Sequence, residues 1–444
     1  MEGETQQAGL AEENQAAPPR GVGRWAKVLV TLWGAMVLLP TLPLILGFCC
    51  VIATSSGHDD WETRAYGLGM ATLIVVGLAC GVPMIVHGSN AWMDRPSRRL
   101  RLPPLWAVTG GFALTMGIGL GLWQIEGAAA VLAPWFIILA AALPPIAAVA
   151  WAVEDRPGRL TWRRVSVAFA AGATVSVLLA IVLEALAPYT IVWLLLDLGE
   201  PVREVFERFV DMLAGGEVAR VITAPGFFLL LFDLALVAPL VEEFVKPLAV
   251  LPLLKGLASR REAFLLGAAA GAGFAALENV IYALFGGEYW GGILTVRVLG
   301  AAVHSLGAGL TALGWHALLN RSPGAGRSWL GNYGLAVGQH ALWNGGQVLW
   351  FALAGATFFG PQPQEADVLG VGIAVGLLAL LALEGVALWA GLRALSRRLE
   401  PARAAAAPAV EGLATDRAIA LWAVVCLAAL LPVGLALLRG LWGR

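Results

Sequence analysis

The chain is a succession of long apolar runs separated by short charged loops. A helix needs about 20 apolar residues to cross a hydrocarbon core about 30 Å thick. About eleven runs meet that length, at 27–53, 66–86, 105–123, 128–153, 165–196, 225–254, 263–285, 292–319, 329–359, 368–392 and 418–438. Only 13% of the residues are charged and 59% are hydrophobic, whereas a soluble domain carries about 25% charged residues. The expected fold class is therefore all-α: a polytopic helical membrane protein with about eleven transmembrane helices.

Loop charge sets the orientation. Arg95, Arg98, Arg99 and Arg101 share one loop, and Arg156, Arg159, Arg163 and Arg164 share another. Lys255, Arg260 and Arg261, then Arg321 and Arg327, then Arg393, Arg397, Arg398 and Arg403 fill three more. Every second loop is basic, and the loops between are short and acidic or neutral. The positive-inside rule then expects a cytoplasmic N-terminus and an extracytoplasmic C-terminus in the cell membrane.

Five regions follow. Residues 1–24 form an acidic, polar tail expected to be disordered, with no basic start that would mark a cleaved signal. Residues 25–196 hold about five spans. Residues 197–224 read as an amphipathic segment on the outer interface, where Val202, Val205, Phe206, Phe209 and Leu213 recur at helical spacing. Residues 225–359 hold four spans, and 360–444 add two more around an Ala/Pro/Arg-rich cytoplasmic linker. A net charge of −1 gives no sign of nucleic-acid binding. Cys49, Cys50, Cys80 and Cys426 lie in apolar runs without zinc spacing, as small fillers. Oligomeric state is not legible.

The four spans of 225–359 carry groups that lipid-facing helices do not tolerate. Glu242, Glu243 and Lys246 lie in the first, Glu278 and Asn279 in the second, His304 in the third, and His340 with Asn344 in the fourth. Counted from the nearest basic loop at 1.5 Å per residue, Glu243, Glu278, His304 and His340 lie at depths of about 18, 25, 25 and 20 Å. That agreement places them in one shared cavity. Glu242 and Lys246 share a helix face, and Glu243 and Lys246 nearly do. The two glutamates diverge by about 100°, so one can face the cavity while the other engages Lys246 or a neighbouring helix. Pro239 and Pro247 bracket the pair and free carbonyls nearby. Glycines at 267, 271 and 273, and at 300, 307 and 309, let helices approach closely. Arg297, seven residues before His304, either balances a carboxylate or snorkels to the outer interface, the simpler expectation. His316 reads as interfacial. Glu184 and Glu384 divide evenly between structural pairing and a substrate or proton path.

Three negative charges against Lys246 demand a further proton or cation. Two histidines and a glutamate form a known zinc set, with His304, His340 and Glu278 as candidates, although no HExxH is present. Mid-membrane Glu, Lys and His also suit a proton-coupled transporter, but no inverted repeat is found. A non-catalytic scaffold is the third possibility.

Glu242 to Lys246 forms an EExxK element and Phe274 to Asn279 an FxxxEN element. His304 and the His340-xxx-Asn344 pair follow on the next two spans. In that order, over residues 225–350, they resemble the PrsW family of intramembrane proteases, distant relatives of CAAX-processing and bacteriocin-immunity membrane proteases. The resemblance implies hydrolysis of a membrane-spanning protein in the bilayer, as in regulated proteolysis, by a glutamate-activated water. Catalysis would then fall to Glu242, Glu243, Glu278, His304 and His340. Lys246, Asn279, Asn344 and Arg297 would support them. Family members are described as glutamic proteases or metalloproteases, so the cofactor is none or zinc.

Overall fold

The computed structural model describes residues 24–54, 61–126, 128–153, 160–184, 225–254, 257, 259–358 and 368–399. The expected surface segment at 197–224, the linker after 400 and the run at 418–438 lie outside the described residues.

Among the described residues the following α-helices are named in order. They are α1 (Arg24–Leu38), α2 (Thr41–Thr54), α3 (Trp61–Val76), α4 (Val82–Trp92), α5 (Leu105–Trp123), α6 (Ala128–Val131) and α7 (Ala133–Val153). Next come α8 (Trp162–Ala171), α9 (Pro225–Phe232), α10 (Ala238–Val245), α11 (Leu251–Leu254), α12 (Arg260–Phe285), α13 (Trp290–Leu319), α14 (Ala325–Phe358) and α15 (Val368–Arg398). Among the described residues there is no strand beyond one isolated bridge between Arg99 and Thr161. Among the described residues, eight helices are long and apolar enough to cross a membrane. The chain is a polytopic helical membrane protein.

The elements bearing Glu242–Lys246 and His340–Asn344 are not among those eight. The first is broken: α9 passes through a π segment (Asp233–Val237) into α10, then a 3₁₀ segment (Lys246–Val250) into α11. Pro239 and Pro247 stand at the starts of α10 and the 3₁₀ segment, where a missing N–H is tolerated. Carbonyls at both breaks take side-chain hydrogen bonds. Ser176 donates to Val245 O and Lys246 O, each at 3.3 Å. Leu234 O, in the π segment, accepts from Asn344 Nδ2 at 3.0 Å.

Helix α12 is the hub. Its apolar window is 83% buried, against 17% for the span at Lys27–Cys50. It packs on α7, α8 and above all α13, which in turn packs on α14. Ser259 caps it, its hydroxyl accepting from Glu262 N, in a Ser-x-x-Glu arrangement. Glycine sets the α12–α13 spacing: a Cβ on Gly271 would lie 2.1 Å from His304 O. The α13–α14 turn passes through Arg321 and Gly324, both with positive φ, which sends α14 back alongside His304. Arg261, a loop marker in the sequence, is buried at the start of α12, where Nε donates to Ser396 O at 2.8 Å.

Candidate active site

Lys246 lies at the centre. Its Nζ donates to Glu243 Oε1 at 2.7 Å and to His304 Nδ1 at 2.8 Å, and pairs with Glu242 Oε2 at 2.8 Å. It also stands 4.6 Å from the centre of the Phe274 ring. The same ring stacks on His304 at 5.7 Å, which gives the aromatic of the FxxxEN element its place. Glu242, Glu243, Lys246, His304 and His340 are all buried. Both glutamates engage Lys246, and Glu243 also engages His340 on the neighbouring helix α14, while Glu242 faces both histidines. Three and four residues both return to the same helix face.

The histidine tautomers follow from their partners. An ammonium has no acceptor, so His304 Nδ1 carries a lone pair toward Lys246. His304 Nε2 then donates to Glu278 Oε2 at 2.9 Å. At His340, Nδ1 donates to Glu243 Oε1 at 2.9 Å. That leaves His340 Nε2 as a buried acceptor with no hydrogen-bond partner. Each imidazole is thus pinned on one side by a carboxylate and offers its other nitrogen inward.

The inward atoms converge. Glu242 Oε2 lies 3.7 Å from His304 Nδ1 and 3.8 Å from His340 Nε2. One donor atom from each of Glu242, His304 and His340 falls within 4.8 Å of the others. Donors of a tetrahedral zinc site, at about 2.0–2.2 Å from the ion, stand about 3.3–3.5 Å apart; the two Glu242 separations are near that range, so the donor set fits a divalent cation once the triangle closes and Lys246 makes room. The sequence pointed to Glu278 as the carboxylate ligand; the glutamate in this triangle is Glu242. Glu278 stands behind His304, in the position from which carboxylates orient metal-bound histidines.

Arg297 does not snorkel. It is buried, donates to Glu278 Oε2 and to Asn279 Oδ1, and stacks on Tyr282 at 4.1 Å. Asn279 Nδ2 donates onward to Ala141 O on α7 at 2.9 Å, so Asn279 fixes the arginine rather than touching the histidines. Asn344 ties α14 to the π segment. His316 is buried, within 2.8 Å of Leu257 O in the loop before α12. Glu184 lies within Coulombic reach of Glu278 and Lys246; it and Glu384 each keep a buried oxygen without a hydrogen-bond partner.

Some neighbours had no sequence signal. Ser176 sits in an otherwise apolar span. Gln339 donates to Val303 O at 3.0 Å beside the glutamates. Tyr282 was findable, one helical turn after Glu278. Gly307 packs against the base of the site: a Cβ there would lie 2.3 Å from Glu243 Oε2.

A family model described as PrsW family intramembrane metalloprotease matches residues 160–381, half of the chain. The chain belongs to the PrsW family. It is accordingly an intramembrane protease, and the bilayer and membrane proteins are its setting. The PrsW match reaches beyond the motif-bearing spans at 225–350, taking in α8 and the first part of α15. Both additions touch the site's frame: Ser176 follows α8, and α15 packs on α13 and α14. Neither the curated proteins nor the solved structures contain a match to this chain.

Proposed function

We propose that this protein cleaves membrane-spanning proteins within the bilayer, with Glu243 as the base that activates the attacking water and Glu242, His304 and His340 as donors to a divalent cation. The observation that carries this reading is the paired carboxylate–imidazole arrangement. Glu243 holds His340 and Glu278 holds His304, and the two remaining ring nitrogens face Glu242. When bound, the cation would polarise the scissile carbonyl and acidify water.

The chain's own groups do the rest. Glu243 Oε1 is occupied by Lys246 and His340, while Oε2 is buried and without a hydrogen-bond partner. Oε2 is therefore the free proton acceptor, and the proton it gains passes to the leaving amine. Arg297 and Asn279 hold Glu278, which fixes the His304 tautomer. Burial excludes bulk water and strengthens each electrostatic contact. A cut at this depth frees the flanking segments from their anchor, which suits regulated proteolysis. The basic loops lie on the cytoplasmic side, with the N-terminus inside and the C-terminus outside.

One observation favours a second reading, a glutamic protease without metal. The Lys246 ammonium already stands where positive charge is needed to stabilise an oxyanion.

The test is reconstitution of the full chain with single-span peptides. Wild type should cleave, and Glu243→Gln should lose about 10³-fold or more in kcat/KM with its thermal unfolding unchanged. Cleavage equal to wild type by that variant would remove Glu243 from the chemistry. Chelation separates the two readings: loss of activity restored by zinc supports the cation, and full activity in metal-free protein supports the glutamic form.

A further inference from the structure

We infer that Lys246 is an internal competitor for the divalent cation, its ammonium filling the place that the ion would take. The inference rests on the reading of Glu242, His304 and His340 as cation donors. The geometry is closed. Glu242 Oε2 and His304 Nδ1 stand 3.7 Å apart, and Lys246 Nζ is 2.8 Å from each. An ion about 2.1 Å from both donors would lie only about 1–3 Å from that nitrogen. Two cations do not share such a space in a low-dielectric interior. The ion and the ammonium therefore exclude one another, and the ion enters only when the Lys246 side chain withdraws.

The arrangement solves a problem of the ion-free protein. Glu242 and Glu243 are adjacent and buried, and neither has an arginine within hydrogen-bond range among the described contacts. Without a cation they would repel each other in the apolar bundle. Lys246, one turn on, supplies that cation from the same helix, and Phe274 gives the ammonium a π face. The lysine of the EExxK element thus keeps the donor triangle assembled before the ion arrives, at the expense of ion affinity.

The prediction runs against the usual effect of changing a buried active-site residue. Apparent affinity falls by the fraction of molecules in the competent form. Lys246→Met, which keeps the stem and removes the charge, should bind cobalt(II) about ten-fold or more tightly than wild type. Lys246→Arg, which keeps the charge and is larger, should bind it more weakly than wild type. The probe is cobalt(II) alone, titrated into the purified full chain in detergent and followed by its ligand-field absorption and by equilibrium dialysis. An affinity order of Met, then Lys, then Arg, at one ion per chain, supports the inference. Equal affinities in wild type and Lys246→Arg, or weaker binding by a folded Lys246→Met, overturn it. Should Lys246→Met fail to fold without metal, the arginine variant decides alone. Peptide cleavage is a separate readout: a protein that cleaves through Glu243 yet shows no such order keeps its protease activity and loses only this role for Lys246.

Discussion

Three arginines are buried among the described residues, Arg163, Arg261 and Arg297, and the last two end on different things. Arg261 donates to Ser396 O and to Ser396 Oγ, and that hydroxyl donates to Ala152 O at 2.7 Å. This chain of bonds stops on backbone carbonyls and joins α12, α15 and α7. Arg297 ends on Glu278 and Asn279, and Glu278 accepts in turn from His304. This chain leads to side chains with capacity to spare, Glu243 Oε2 and His340 Nε2. A buried charge is therefore no mark of function by itself. A polar network that closes on carbonyls is a fastening, and one that leaves acceptors idle is a site.

Substitutions can break that contrast. The largest effect is expected at Glu243→Gln, as above. Next is Gly307→Ala, whose new methyl would sit 2.3 Å from Glu243 Oε2. Displacing the base by about 1 Å should lower kcat/KM about 10²-fold. Detergent thermal melts within a few degrees of wild type would show that the loss is positional.

Arg297→Leu removes the clamp on Glu278 and should lower kcat/KM by about 10–100-fold. An unchanged kcat/KM would make Arg297 a fastening like Arg261. The converse is Arg261→Met, which should lower unfolding stability by about 1–3 kcal/mol and leave kcat/KM intact below the melt. A fall in kcat/KM there, without a fall in stability, would show that α15 acts on the site. Asn344→Ala is the smallest: one lost bond to Leu234 O, about 1 kcal/mol, read by chemical denaturation in mixed micelles.

Much of the site was legible because charge is so constrained in an apolar run. Glu242, Glu243, Lys246, Glu278, His304 and His340 stand out by composition alone, and depth counting brought them to one level. All six are joined in one network of contacts in the folded chain. Arg297 was misplaced because a long cationic stem near a helix end snorkels when no partner is known; its partners lie 18 and 19 positions away, on another helix. The partner of His316 was not legible either, since the Leu257 carbonyl that meets it lies 59 positions away. Ser176 gave no signal, because its acceptors are carbonyls released by a break in another segment.

The sequence by itself determined the helical membrane class, the four polar elements in order, and the approximate depth of their groups. Those depend on apolar length and on rise per residue, which are local properties. Only the tertiary structure decided where each carboxylate stands. Glu242 joins the histidine triangle, Glu243 sits behind His340, and Glu278 behind His304. Rotation about a helix axis is invisible in a segment apolar on every face; it is fixed by the neighbours against which that helix packs.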